Sequence, residues 1–134
     1  MSELSERDKG RIAGAFEARG GVVISKGAAA RSESSDALYF GVRLYIETLT
    51  VNEPLNAIFG PPSARAAYAR PVYRYEVTKR EDVLRIAEMI LANVFSKDRK
   101  SELRCAIEFC MARDNKGREA AATALADVRA SVSQ

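Results

Sequence analysis

Ile12-Ala13-Gly14-Ala15-Phe16-Glu17-Ala18-Arg19-Gly20 is a compact run of small and apolar residues that ends at a Gly20-Gly21 break. Polar residues precede it and Gly21-Val22-Val23-Ile24-Ser25-Lys26 follows. The stretch therefore reads as a short helix that stops and feeds directly into a strand. Gly14 and Ala18 are spaced i, i+4 and share one helical face, with Ala13 beside Gly14. A face with almost no side chain is useful where another backbone comes very close. That backbone is either a second helix or the domain's own sheet, and a helix glycine costs about 1 kcal/mol against alanine in either case.

On the N-terminal side, Ser5-Glu6-Arg7-Asp8 is a helix start, because the acid three places after the serine can close a capping box. On the C-terminal side, the run from Gly21 to about Arg31 alternates loosely, Ser32 to Asp36 is a turn, and Ala37 to Thr48 is rich in aromatic and β-branched residues. These two runs are predicted to form a hairpin. Asn52 opens a short helix from Glu53 to Phe59, with Pro54 in its first turn and Gly60 at its end. Ser63 to Arg70 is a third strand that Pro71 punctuates, and Val72 to Val77 a fourth, with Val72, Arg74 and Glu76 opposed to Tyr73, Tyr75 and Val77. Thr78 is expected to cap a helix from Lys79 to about Asn93, with Val83, Leu84, Ile86, Ala87, Ile90 and Leu91 in its core stripe. Further helices are expected over Asp98 to Arg113 and Glu119 to Ala130. The order predicts an α+β fold: a four-stranded antiparallel sheet with helices gathered on one face. Its other face is left wet, and binding is to be sought there.

The chain has 134 residues, 47% hydrophobic and 29% charged, as expected of one folded domain over 1–134. Histidine is absent, which excludes histidine general bases and the serine-histidine triads. Cys105 and Cys110 fall five apart in one predicted helix, poorly placed for a mutual disulfide, and read as small buried hydrophobes. No apolar run reaches membrane-spanning length and Met1 to Arg7 lacks the apolar stretch of a signal peptide, so the expected location is the cytoplasm, away from membranes. The net charge of +3 and pI near 9.0 weakly favour an anionic partner.

Lys26, Arg31, Arg43, Arg65, Arg70, Arg74 and Lys79 are spread over all four predicted strands or their ends. With Arg43 and Arg74 on the open face, the sheet offers guanidinium donors to phosphates and guanine edges, and Glu47 or Glu76 can accept from cytosine. Solvated strand faces laced with ion pairs are the alternative reading. Lys97-Asp98-Arg99-Lys100 is either a solvated corner or a helix start that meets a phosphate.

The stretch Ile12 to Gly20 resembles the nine-residue signature of the LAGLIDADG homing endonucleases. Val83-Leu84-Arg85-Ile86 and the Lys97 to Phe109 segment look like that family's last block, and the resemblance spans roughly Arg7 to Phe109. It implies an αββαββα fold, here followed by a C-terminal helical tail over 117–134. It also implies that signature helices pack in pairs through Ala13, Gly14, Glu17 and Ala18. With one copy of the motif, the implied assembly is a homodimer and the implied partner a palindromic or near-palindromic double-stranded DNA site.

In the family the last acid of the signature holds the divalent metal, and this chain has Arg19 there. Arginine neither coordinates a cation nor deprotonates, so no metal or cofactor is expected and Arg19 joins the DNA-contacting residues. The resemblance matches Glu17 to a family acid that supports the helix end, Lys97 to the basic residue beside the phosphate, and Glu47 to a polar residue that organises water. Those three are the catalytic candidates of an enzyme alternative, a Mg²⁺-dependent endonuclease making double-strand breaks. The reading preferred on these residues is sequence-specific DNA binding without cleavage. An RNA-binding intron-splicing maturase is a third possibility that the resemblance allows.

Overall fold

The computed structural model describes residues 4–28, 38–67 and 70–132. Helix α1 (Glu6–Arg19) begins where the Ser5 hydroxyl accepts from the Asp8 N–H at 3.1 Å. It ends at Gly20, whose backbone is extended and starts β1 (Gly20–Ala28) without a loop. Glycine is required there by space: a Cβ at Gly20 would stand 2.4 Å from the Phe16 ring and 2.8 Å from its backbone. β2 (Leu38–Thr48) pairs antiparallel with β1, Gly20 opposite Ile46 through Ala28 opposite Leu38, as the hairpin reading expects. Arg31 and the predicted turn lie outside the described residues.

Helix α2 (Glu53–Phe59) has the predicted bounds, capped by the Asn52 side chain and closed by Gly60, whose φ of +82° favours glycine. β3 (Ser63–Ala67) and β4 (Arg70–Val77) pair antiparallel, and β4 also pairs with β2, giving the sheet order β1-β2-β4-β3. Pro71 lies inside β4 rather than ahead of it. It stands opposite Ala66 beyond Tyr73, the last β4 residue that β2 reaches, so its missing N–H deprives no bond on that side. α3 (Arg80–Leu91) starts at Lys79 with no side-chain cap, so the predicted Thr78 cap is replaced by an uncapped start one residue later. α4 (Lys97–Met111) is capped by Ser96, and α5 (Asn115–Val132) completes the chain.

One face of the sheet is covered. Val22, Phe40, Val42, Leu44, Ile46 and Tyr75 point into a core shared with Ile12, Ala13 and Phe16 of α1, Ile86 and Ile90 of α3, and Leu103 and Phe109 of α4. α5 adds Ala121 and Leu125, and is fastened across β1 by Lys26 to Glu119 at 2.7 Å and by Arg129 to the Val22 carbonyl. Cys105 is buried and Cys110 half-buried, where burial pushes the Cys110 thiol up to about 11. This is the behaviour of small hydrophobes, as predicted. Among the described residues no helix is long and apolar enough to cross a membrane.

Candidate nucleic-acid interface

Strand alternation decides what the uncovered face carries. Because Val22 and Leu44 point into the core, Gly21, Val23 and Ser25 of β1 and Gly41, Arg43, Tyr45 and Glu47 of β2 point away from it. The register of β4 then adds Arg74 opposite Glu47 and Glu76 opposite Tyr45, and β3 adds Ser63 opposite Arg74. Arg43 and Arg74 thus occupy the open face that the alternation predicts.

They are not free cations. The Arg74 guanidinium donates to Glu47 at 3.0 Å and to Glu76 at 3.2 Å, and lies 4.1 Å from the centre of the Tyr45 ring. Arg43 reaches the same Glu76 oxygen at 3.5 Å. Tyr45 lies flat enough to serve as this platform because residue 21 is glycine. A Cβ there would come within 2.6 Å of the phenol oxygen. Four charges of alternating sign therefore cross β2 and β4, anchored on a ring that leans over β1. The Arg74–Glu47 pair is the more covered, Arg74 28% and Glu47 24% exposed, while Arg43 remains 49% exposed.

The other basic residues divide. Arg70, Lys79, Lys97 and Arg19 are exposed, and Arg65 is placed by its backbone opposite Val72. Lys26 belongs to the opposite face: it alternates with Ile24 and its ammonium is held by Glu119 of α5, so it is not part of the open surface. Register also gathers a transverse row at one end of the sheet. Gly20 pairs Ile46, so Arg19 ends α1 one step beyond, at the sheet end where Glu47, Arg74 and Ser63 lie side by side.

The end of α1 is fixed by α4. The Glu17 carboxylate accepts the N–H of Ser96 at 3.0 Å and that of Phe95, the two groups leading into α4. These backbone bonds, Ser96 first, hold its pKa below the ordinary value. Sequence reasoning missed Arg99, which donates to the Gly20 carbonyl at 2.7 Å and to the buried Glu102 at 3.0 Å, closing the same joint from the other side. Its only sequence signal was a charge run.

Along α1 the small residues split. Ala13 is fully buried in the chain's own core, so it is removed from the predicted pairing face. Gly14 and Ala18 are exposed, and Gly10, spaced i−4 from Gly14 and missed in the sequence reading, is exposed beside them. A Cβ at Gly10 or Gly14 would meet nothing within 4 Å.

The same arrangement of helices on a four-stranded sheet occurs in several solved endonuclease structures. The I-CvuI homing endonuclease in complex with its target matches over 92% of this chain and 83% of its own, with a TM-score of 0.63 and 14% identity. The chain has the LAGLIDADG homing-endonuclease fold. The intron-encoded homing endonuclease I-CeuI complexed with DNA matches over 89% of this chain and 61% of its own, with a TM-score of 0.65 and 13% identity. The LAGLIDADG homing endonuclease I-SmaMI bound to cleaved DNA matches over 95% of this chain but only 43% of its own, with a TM-score of 0.64 and 10% identity. No family model and no curated protein sequence matches the chain.

The resemblance noted from the sequence implies a divalent metal, and the residues it assigns do not fit one. The position it matches to the metal-holding acid is Arg19, the Glu17 carboxylate is taken by two backbone N–H groups, and Glu47 is paired with Arg74. A hard cation needs several free oxygen ligands, and placing one here would break each of those bonds and oppose a fixed positive charge.

Proposed function

We propose that this protein binds double-stranded DNA in a sequence-specific manner as a homodimer and does not cut it. The observation that carries the reading is the uncovered sheet face with its arginines, in a fold whose solved examples include DNA complexes. Arg43 and Arg70 supply donors to the DNA from the open face, where Arg74 braces the neighbouring acids, and the exposed Lys79 and Lys97 extend the positive charge beyond the sheet toward phosphates.

Support for pairing comes from α1. Gly10 and Gly14 weaken the helix by about 1 kcal/mol each against alanine, and no contact among the described residues requires either to lack a side chain. Close approach of a second α1 explains both glycines. Two-fold pairing through that helix sets two sheets side by side and makes a palindromic or near-palindromic site the expected target. The absence of cleavage rests on Arg19 and on the committed carboxylates of Glu17 and Glu47.

Selection of bound fragments from a random duplex library, followed by incubation of the selected DNA with Mg²⁺ or Mn²⁺, tests both parts. Enrichment of a symmetric site that stays intact is the expected result. Failure to enrich any duplex overturns the binding reading. Metal-dependent cutting at the centre of the site overturns the non-cleaving one.

A further inference from the structure

The charges on the open face do not resemble those of a surface built only to attract phosphates. Arg43, Arg74, Glu47 and Glu76 sum to zero, and each arginine has a carboxylate within 3.5 Å. A phosphate that takes Arg74 leaves Glu47 unpaired beside the DNA, and one that takes Arg43 leaves two carboxylates sharing a single guanidinium, so non-specific binding gains little from this part of the sheet. A base pair that satisfies the arginine and the acid together meets no such penalty.

The geometry points to the Arg43–Glu76 pair as a reader of one G·C base pair in the major groove, an inference that rests on the DNA-binding reading above. Across its major-groove edge, G·C presents two acceptors, guanine N7 and O6, followed by one donor, the cytosine N4 amino group. A guanidinium beside a carboxylate presents the reverse order, two donors and then an acceptor. Spacing agrees as well. Guanine O6 and cytosine N4 are Watson–Crick hydrogen-bond partners and lie about 2.9 Å apart. Arg43 Nε and Glu76 Oε2 are 3.5 Å apart before any DNA is present. An A·T pair places the adenine amino donor where the guanidinium needs an acceptor, and a thymine carbonyl toward the carboxylate.

The structure also holds this acid in place. Glu76 lies between two guanidiniums, and the second, Arg74, is fixed by Glu47 and by stacking on Tyr45. Arg74 is a positioning residue in this scheme: its fork reaches both acids while its plane lies against the ring, which a lysine cannot reproduce. Arg43, with half of its side chain exposed, has the freedom to turn toward a base. In a two-fold dimer the same reader occurs twice, at symmetric positions of the site.

The test uses the full chain and its library-selected duplex. The wild-type protein is expected to show one symmetric pair of positions where G·C is favoured over A·T by on the order of tenfold or more. Replacing that guanine with inosine, which keeps the major-groove edge and removes only the minor-groove amino group, should leave binding intact. Replacing it with 7-deazaguanine should weaken it. In E76Q and in R74K the preference for G·C there should shrink severalfold. E76Q should also bind scrambled duplex more tightly, with a salt slope steeper by about 0.9 for each arginine released to a phosphate. A chain that selects no duplex refutes the DNA-binding reading. A chain that selects a site whose G·C preferences are unchanged in both variants, or that follow the minor-groove amino group, refutes this inference and leaves DNA binding standing.

Discussion

Gly14→Leu should move two quantities in opposite directions. Within one chain the Cβ at position 14 meets nothing within 4 Å, so leucine gains its helix propensity over glycine, about 0.8–1 kcal/mol, with no clash to offset it. For a chain of 134 residues that raises the melting temperature by roughly 3–5 °C. At a helix pair the same side chain enters where two backbones meet. Overpacking costs about 1–3 kcal/mol, and two-fold symmetry counts it twice, so dimerisation should weaken by about 2–6 kcal/mol, roughly 30-fold to 10⁴-fold. Sedimentation equilibrium gives the dimer constant, and thermal unfolding at a concentration where the wild type is monomeric gives the other value. An unchanged dimer constant would remove α1 from the interface. A lowered melting temperature would mean that Gly14 is backed by a contact within the chain.

Gly20→Ala should destabilise the fold by about 1–3 kcal/mol in urea unfolding, because its Cβ meets both the ring and the backbone of Phe16; a neutral result would contradict that packing. Gly21→Ala meets only the end of the Tyr45 side chain, so the ring shifts and stability changes less than at Gly20. Glu17 has a folded-state pKa below its unfolded one, so the stability it contributes is full above the ordinary carboxylate value and is lost as pH falls through the depressed one. Glu17→Gln should lower the melting temperature at neutral pH and flatten the acid limb of the stability curve, and parallel curves for the two proteins would refute the cap. Removing Arg43 and Arg74 together should weaken binding to the selected duplex and erase its G·C preference at the symmetric positions, and equal binding would place the DNA elsewhere. Arg19→Asp is expected to bind Mg²⁺ no more than weakly, since Glu17 and Glu47 stay occupied; metal-dependent cutting by this single variant would show those carboxylates to be available.

The hairpin, α2 and the wet sheet face were legible because each rests on local chemistry: alternation in β2, the Asn52 cap and Gly60 at α2, and helices that follow the strands. The β2–β4 pairing was not legible, since it joins strands separated by α2 and β3 and depends on register. That pairing sets Arg74 beside Glu47 and lets Glu76 hold two arginines, so the sequence could suggest a basic face but not its internal neutralisation. Lys26 shows a second limit. Its place in the alternation was correct, but the direction of that face depends on α5, whose Glu119 is far along the chain. Ala13 shows a third, because a small residue adjacent to Gly14 is turned about 100° from it, enough to exchange the outer face for the core.

The end of α1 is held without any contribution from the Arg19 side chain. Three carboxylates around this joint already have donors: Glu17 accepts two N–H groups at the start of α4, Glu102 accepts from Arg99, and Glu47 accepts from Arg74 across the strand pair. Arg99 in turn secures the Gly20 carbonyl, so the turn from helix to strand is held by side chains and needs no cation. Arg19 is exposed at the end of α1. Converting it to an acid would add one ligand but free none of the others. A cation site would require at least one of these three joints to open. The same bonds that hold the end of α1 therefore oppose a cation there, and the DNA binding proposed above does not depend on one.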